Sequence, residues 1–186
     1  MHSLFTPLKL GSTEIKNKII MAPLTRARAT NSRIPNSLMK DYYTQRSEAG
    51  MILTEATAIS SDAVGYADTP GIWNNEQIKG WKEITESVHE NDSKIFMQLW
   101  HVGRISHSSF LGGNKPVAPS AIKPAGHVSL IRPITEYETP RALETSEIKD
   151  LIQTYKQAAI NAKAAGFDGV ESVSYTHLTL PTTYHV

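Results

Sequence analysis

Ile95-Phe96-Met97-Gln98-Leu99-Trp100-His101-Val102-Gly103-Arg104 starts as an apolar run of strand length and ends in indole, imidazole and guanidinium groups. Gln98 interrupts the run with an amide. A buried amide needs hydrogen-bond partners, or its desolvation goes uncompensated. A ligand with donors and acceptors of its own would supply them. The same layout, an apolar run closed by polar residues, occurs twice upstream. Ile19-Ile20-Met21-Ala22 leads into Pro23-Leu24-Thr25-Arg26, and Met51-Ile52-Leu53-Thr54 leads into Glu55-Ala56-Thr57.

Between these runs lie helical patterns. Leu38, Tyr42 and Gln45 or Arg46 fall at helical spacing behind a candidate N-cap, Asn36, with Gly50 as a natural stop. Ile78, Trp81, Ile84 or Thr85, and Val88 form a stripe after Asn74 or Asn75, and Asn91-Asp92 ends that helix. Ile148, Leu151, Ile152, Tyr155, Ala159 and Ala162 form a third stripe, capped by Thr145 or Ser146 and closed by Ala164-Ala165-Gly166. Phe167 to Glu171 reads as entry to a fourth strand. Leu8–Leu10 and Glu14–Lys16 around Gly11-Ser12 read as an N-terminal hairpin. The long region from His101 to Glu144 is rich in Gly, Pro and Ser. Loops of that length are usually functional, and short strands are expected near 116–124 or 128–131.

Strand runs that are apolar throughout and alternate with helices point to a parallel sheet covered by helices. An open doubly wound sheet and a (β/α)8 barrel compete. The first strand is followed by Pro23-Leu24-Thr25-Arg26 rather than a glycine-rich turn. Polar residues gather at several strand ends: Thr25, Glu55 to Thr57, Gln98 and Glu171. Both features favour an α/β TIM barrel. Eight units need about 250 residues, whereas this chain has 186. The expectation is an N-terminal half-barrel over 1–171 with an N-terminal hairpin, its two sheet edges open to self-association.

A formal charge of +1 gives no reason to expect nucleic acid or an anionic membrane as partner. There is no cysteine, so disulfides and thiolate chemistry are excluded. The N-terminus lacks the pattern of a signal peptide and no apolar run reaches membrane-spanning length, which fits a cytoplasmic protein. His101 and His107 lack a convergent third ligand, so no metal is expected. A lyase or aldolase barrel would want a lysine or metal ligands at strand ends, and the strands before residue 171 offer neither.

Met21-Ala22-Pro23-Leu24-Thr25-Arg26, Tyr42-Tyr43-Thr44-Gln45-Arg46, Glu55-Ala56-Thr57, Gly65-Tyr66, Gln98-Leu99-Trp100-His101-Val102-Gly103-Arg104 and Ala165-Gly166-Phe167-Asp168-Gly169-Val170-Glu171 occur in that order. Together they resemble the old yellow enzyme family of FMN-dependent ene reductases, especially its N-ethylmaleimide reductase branch, over residues 4 to about 171. The resemblance implies FMN as cofactor and NADPH or NADH as reductant. It implies a small electrophilic alkene or nitro compound as substrate, and a monomeric or homodimeric parent. It places Pro23, Leu24 and Thr25 against the isoalloxazine, Ala56 as the small residue that lets the ring approach, and Gln98 on the pyrimidine edge. Tyr66 and Trp100 become substrate-pocket aromatics, and Arg132 matches a basic loop residue loosely.

The match fails after Glu171. The family's substrate-anchoring His-x-x-His or His-x-x-Asn pair would fall on Val173 and Thr176, and its proton-donor tyrosine on Leu178. Residues 172–186 resemble nothing in the family and read as a foreign tail. No catalytic residue is therefore assigned. Little or no turnover and weak FMN binding are expected of this chain, and a non-catalytic interaction module is the alternative.

Overall fold

The computed structural model of the chain describes residues 3–129 and 131–173. The hairpin forms as expected: β1 (Leu8–Leu10) pairs antiparallel with β2 (Thr13–Ile15), and Gly11 turns the chain at φ +60°. Among the described residues, three α-helices and five strands of a parallel sheet follow. They are β3 (Ile20–Met21), α1 (Ser37–Thr44), β4 (Met51–Leu53), β5 (Thr57–Ala58), α2 (Asn75–His89), β6 (Lys94–Trp100), α3 (Glu147–Ala164) and β9 (Gly169–Ser172). Between β6 and α3, β7 (Val117–Ala118) and β8 (Arg141–Ala142) form a separate parallel pair.

The sheet is wound in one direction. β3 pairs with β4, β4 with β6, and β6 with β9, all parallel, so each unit adds its strand beyond the last. A doubly wound sheet reverses its strand order; this one does not. The helices also share one face. Ile52, Ile95, Met97 and Leu99 form a single buried cluster with Met39 and Tyr43 of α1, Trp81, Ile84 and Val88 of α2, and Ala158 and Ala162 of α3. Sequential parallel strands with helices on one side are the winding of a barrel.

β6 corrects the expectation of strands buried on both faces. Its burial alternates, with Ile95, Met97 and Leu99 buried against the helices and Phe96, Gln98 and Trp100 half-buried on the opposite face. The sequence looks continuous because Phe96 and Trp100 are apolar there too.

Helix boundaries follow their hydrogen bonds. Asn36 caps α1 through its side-chain oxygen, which accepts from the Met39 amide at 3.1 Å. α1 stops at Thr44 rather than near Gly50, because the chain tightens: the Ser47 amide and hydroxyl both donate to the Thr44 carbonyl, at 3.1 and 2.7 Å. Gly50 serves a close approach instead; a Cβ there would lie 2.1 Å from the Asn17 carbonyl. Asn74 opens α2 in a reciprocal box with Gln77. Neither expected cap opens α3, since Ser146 is already helical and its side chain makes no cap bond. The Glu147 carboxylate takes the Glu144 amide at 2.7 Å and a two-pronged contact from Arg141 at 2.7 and 2.8 Å, which holds its pKa down at about 2. The face of α3 turned inward carries Ala158, Asn161 and Ala162, so Ile148 and Ile152 of the expected stripe stay exposed. Small residues face inward here because α2 lies close: Thr85 donates its hydroxyl to the Ala165 carbonyl at 2.6 Å.

Asp168 ties the start of β6 to β9. It accepts from the Ile95 amide at 2.9 Å and lies 2.8 Å from His89 Nε2 and 3.2 Å from Lys94 Nζ. Burial pushes this carboxyl up, but the Ile95 amide, His89 and Lys94 outweigh it and hold its pKa below the ordinary 3.8. An acid with a lowered folded pKa contributes stability above its ordinary value and loses it as pH falls through the folded value. Asp168→Asn is expected to cost about 1–3 kcal/mol at neutral pH. In urea melts that difference should shrink on acidification below pH about 4; a difference independent of pH would contradict the assignment.

Candidate active site

The carboxyl ends of the parallel strands converge at one end of the sheet, and the polar residues there come from four of them. A bulge shapes this end. β4 pairs Leu53 with Phe96, whereas β5 pairs Thr57 with Leu99, so four chain steps face three. The extra residue lies within Thr54-Glu55-Ala56. The Thr54 hydroxyl accepts the Gln98 amide at 3.1 Å and thereby fills the gap in the ladder.

Glu55 turns its carboxylate into the protein and is 1% exposed. One oxygen accepts from the Tyr43 hydroxyl at 3.2 Å and the other from the Arg26 amide at 3.2 Å. The Tyr43 oxygen accepts the Glu55 amide in return, at 3.0 Å. Burial raises the Glu55 pKa above the usual carboxylate range against the opposing pull of these donors. Burial, then the adjacent carboxylate, push the Tyr43 hydroxyl well up. Beside Glu55 a cleft of about 370 Å³ is lined by Arg26, Arg28, Tyr42 and Arg46. The Arg26 and Arg46 guanidiniums stack on the Tyr42 ring, 4.0 and 3.8 Å from its centroid.

Pro23 is half-buried, while Leu24, 54% exposed, and Thr25 are open at the end of β3. Ala56 is buried at the bulge. Gln98 projects from β6, opposite Glu171 in register, and its amide nitrogen donates to the Glu171 carboxylate at 2.9 Å. The Gln98 side-chain carbonyl has no partner among the described residues. Tyr66 and Trp100 stack with ring centroids 5.2 Å apart at 34°, and they meet although 34 positions separate them in the chain. Arg132 stands apart and exposed; among the described residues its side chain bonds only to the Ile131 carbonyl, at 2.9 Å. Among the described residues no group of three or more His, Cys, Asp or Glu side chains converges, and no helix is long and apolar enough to cross a membrane.

The profile of the NADH:flavin oxidoreductase / NADH oxidase family matches residues 3–177. The chain belongs to that family. A chanoclavine-I aldehyde reductase of Penicillium roqueforti is 49% identical over 176 residues, 92% of this chain and 45% of the relative. A protein of Oryza sativa described as a putative 12-oxophytodienoate reductase is 43% identical over 173 residues, 90% of this chain and 46% of its own. Among solved structures, the old yellow enzyme homologue of Zymomonas mobilis superposes with a TM-score of 0.88 at 44% identity, covering 92% of this chain and 48% of the other. Morphinone reductase in complex with tetrahydroNAD gives 0.86 at 49%, covering 92% and 49%. The chain thus spans about half the length of these flavin oxidoreductases and holds one half of their barrel.

Sequence reasoning missed two features of this flavin-oxidoreductase half. Glu55 was legible only as a strand-end polar residue, because its partners are a backbone amide and a hydroxyl from distant segments. Glu171 was equally visible as a strand-end acid, but its hold on Gln98 needs the β6–β9 register. Val173, where the family's anchoring pair would begin, donates its amide to the Leu99 carbonyl at 3.1 Å and offers an apolar side chain. Thr176 and Leu178 lie outside the described residues.

Glu171→Leu is expected to release the Gln98 side chain. A fall of about 1.5–3 kcal/mol in stability follows from losing a hydrogen bond to a charged acceptor, and the Gln98 side-chain amide resonances should lose dispersion. Unchanged resonances would show that the contact does not hold in solution.

Proposed function

We propose that this chain supplies the flavin-facing strands of an FMN-dependent NAD(P)H oxidoreductase that reduces the activated C=C bond of enones, maleimides or nitro compounds. The supporting observation is Gln98: a side chain at a strand end, fixed by Glu171 through its nitrogen, with its carbonyl unpaired among the described residues. That carbonyl suits the imide N–H of an isoalloxazine. The residues around it fit the same group. Ala56, small and at the bulge, permits a planar ring to come close, and the Thr25 hydroxyl is available to donate to a ring carbonyl. A hydroxyl placed there stabilises negative charge that develops on reduction. Pro23 and Leu24 offer apolar surface to the ring, and Tyr66 and Trp100 form an aromatic wall for the substrate.

Held by Gln98, Thr25, Ala56, Pro23 and Leu24, FMN would supply the hydride-transfer chemistry that links a reduced nicotinamide to the activated alkene. The chain's own residues bind, orient and tune. At Val173, where the resemblance puts the first residue of the anchoring pair, the side chain has neither donor nor acceptor for the electron-withdrawing oxygen of the substrate. Reduction of 2-cyclohexenone by this chain with NADPH is therefore expected to stay near background. Turnover like that of a full-length family member would overturn this.

Flavin fluorescence quenching should report FMN binding weaker than micromolar, because this half of the barrel touches the ring from one side. Gln98→Leu and Thr25→Val should each weaken it further, by about five- to tenfold if each removes one hydrogen bond. Equal binding by native chain and variants would remove the flavin assignment from this site.

Both outer strands expose apolar side chains: Ile19, Ile20 and Leu24 at β3, and Val170 at β9, between 39% and 54% exposed. They support self-association of this chain through its sheet edges. Sedimentation velocity should show dimers or larger species, and a monodisperse monomer with a cooperative melt would refute it.

A further inference from the structure

We propose that Glu55 is a positioning residue for the flavin-facing segment: its carboxylate, held by the Tyr43 hydroxyl, anchors the chain after Thr25 through the Arg26 amide and so sets Pro23–Thr25 beside Ala56. The inference rests on the reading of Pro23, Leu24, Thr25 and Ala56 as the flavin wall and adds the group that holds that wall in place.

Among the described residues, the segment's other ties are side-chain contacts beyond Thr25: Arg26 stacks on Tyr42, Arg28 donates to the Arg26 and Ala27 carbonyls, and Asn36 donates to the Arg28 carbonyl. β3 ends at Met21, and Pro23 has no amide hydrogen. Among the described residues, the one backbone amide from Leu24 to Arg28 with a hydrogen-bond partner within bonding distance is that of Arg26, on Glu55. The neighbouring Ala27 amide faces the same carboxylate. Ala27 adopts φ +51°, a conformation L residues with a Cβ rarely take. Successive amides with a left-handed residue among them form a concave anion-binding nest, and here the anion is a side chain of the protein. The strain at Ala27 is thereby explained: it turns two amides onto one carboxylate.

Glu55 is itself fixed from all sides. Its amide donates to the Tyr43 oxygen at 3.0 Å, and its carbonyl accepts the hydroxyls of Thr54 and Thr57, each at 3.0 Å. Every polar atom of the residue is therefore used. Because Ala56 follows directly, one bulge locates both sides of the wall: Ala56 through the backbone and Thr25 through the carboxylate. The groups facing the carboxylate are the Tyr43 hydroxyl from α1 and the Arg26 side chain and amide from the loop, and Arg28, Asp41 and Arg46 line the adjoining cleft.

Hydrogen exchange and amide NMR on the full chain without flavin test this. Glu55→Gln keeps the shape and removes the charge. Exchange at Arg26 should accelerate by at least about tenfold, as expected on losing a charged acceptor, while α2 keeps its protection. The Arg26 amide proton should also move upfield. Unchanged exchange and shift in a folded Glu55→Gln variant would overturn the proposal. If that variant does not fold, the native chain still decides. Its Arg26 amide proton must titrate with a carboxyl midpoint above the usual range, and a proton that does not respond to pH refutes the contact. FMN titration of the same samples separates the two readings. Native chain that binds no FMN yet shows the Arg26 titration removes the flavin assignment and leaves the anchor standing. Faster exchange in Glu55→Gln with unaltered FMN affinity shows that the anchor does not position the flavin wall and overturns the proposal.

Discussion

Strand β6 is the constraint on which the rest depends. It pairs with β4, β5 and β9, and its alternation sorts side chains into two environments. Ile95, Met97 and Leu99 enter the core under the helices, whereas Phe96, Gln98 and Trp100 face the other way. Because successive side chains of a strand take opposite faces, the apolar residues that drive folding also oblige Gln98 and Trp100 to appear on the site side. A shift of pairing by one residue would bury Gln98 among Trp81, Ile84 and Phe167 and expose the core.

The bulge between β4 and β5 turns this scaffold into a site. Without the extra residue the β4–β5 segment would keep one register along β6 and present a regular ladder. With it, Thr54 repairs the missing bond and Glu55 becomes free to reach the segment after β3. The cost is a carboxylate at 1% exposure. Burying such a charge is expensive unless hydrogen bonds compensate, and Tyr43 and the Arg26 amide provide them. Asp168, at the other end of the sheet, is a contrasting acid. It stays ionised more readily because an amide, an imidazole and an ammonium outweigh its burial.

Much of the fold was legible because local signals carried it. The hairpin around Gly11, the alternation of strands and helices, and the caps at Asn36 and Asn74 each rest on chemistry within a few residues. Gln98 and Thr25 stood out as polar residues closing apolar runs and Ala56 by resemblance to a family; the structure places Gln98 on β6, Ala56 at the bulge and Thr25 in the segment after β3. The bulge was not legible. It is a slip between two strands that pair only in the folded chain, and neither strand's own periodicity records it. Nor was the start of α3, where Thr145 and Ser146 look like caps. Glu147 outcompetes them because Arg141, brought in by β8, fixes its carboxylate over the Glu144 amide. Ile148 and Ile152 mislead in a related way: spacing identifies a helix, but which side faces inward depends on how closely α2 approaches.

The β6–β9 pair shows how the stabilising and site-forming ends of a barrel segment are linked. Two carboxylates, three residues apart on and just before β9, clamp opposite ends of β6. Asp168 takes the Ile95 amide where the strands begin, and Glu171 takes the Gln98 side chain where they end. Shifting β9 by one residue in either direction would put Val170 or Ser172 opposite Gln98 in place of Glu171, and both clamps would open together. The register that seals the core is therefore the register that aims Gln98. A change at Asp168 that loosens the pairing should reach the site even though the residue touches nothing there, whereas Glu171→Leu should disturb Gln98 and leave the Asp168 clamp intact.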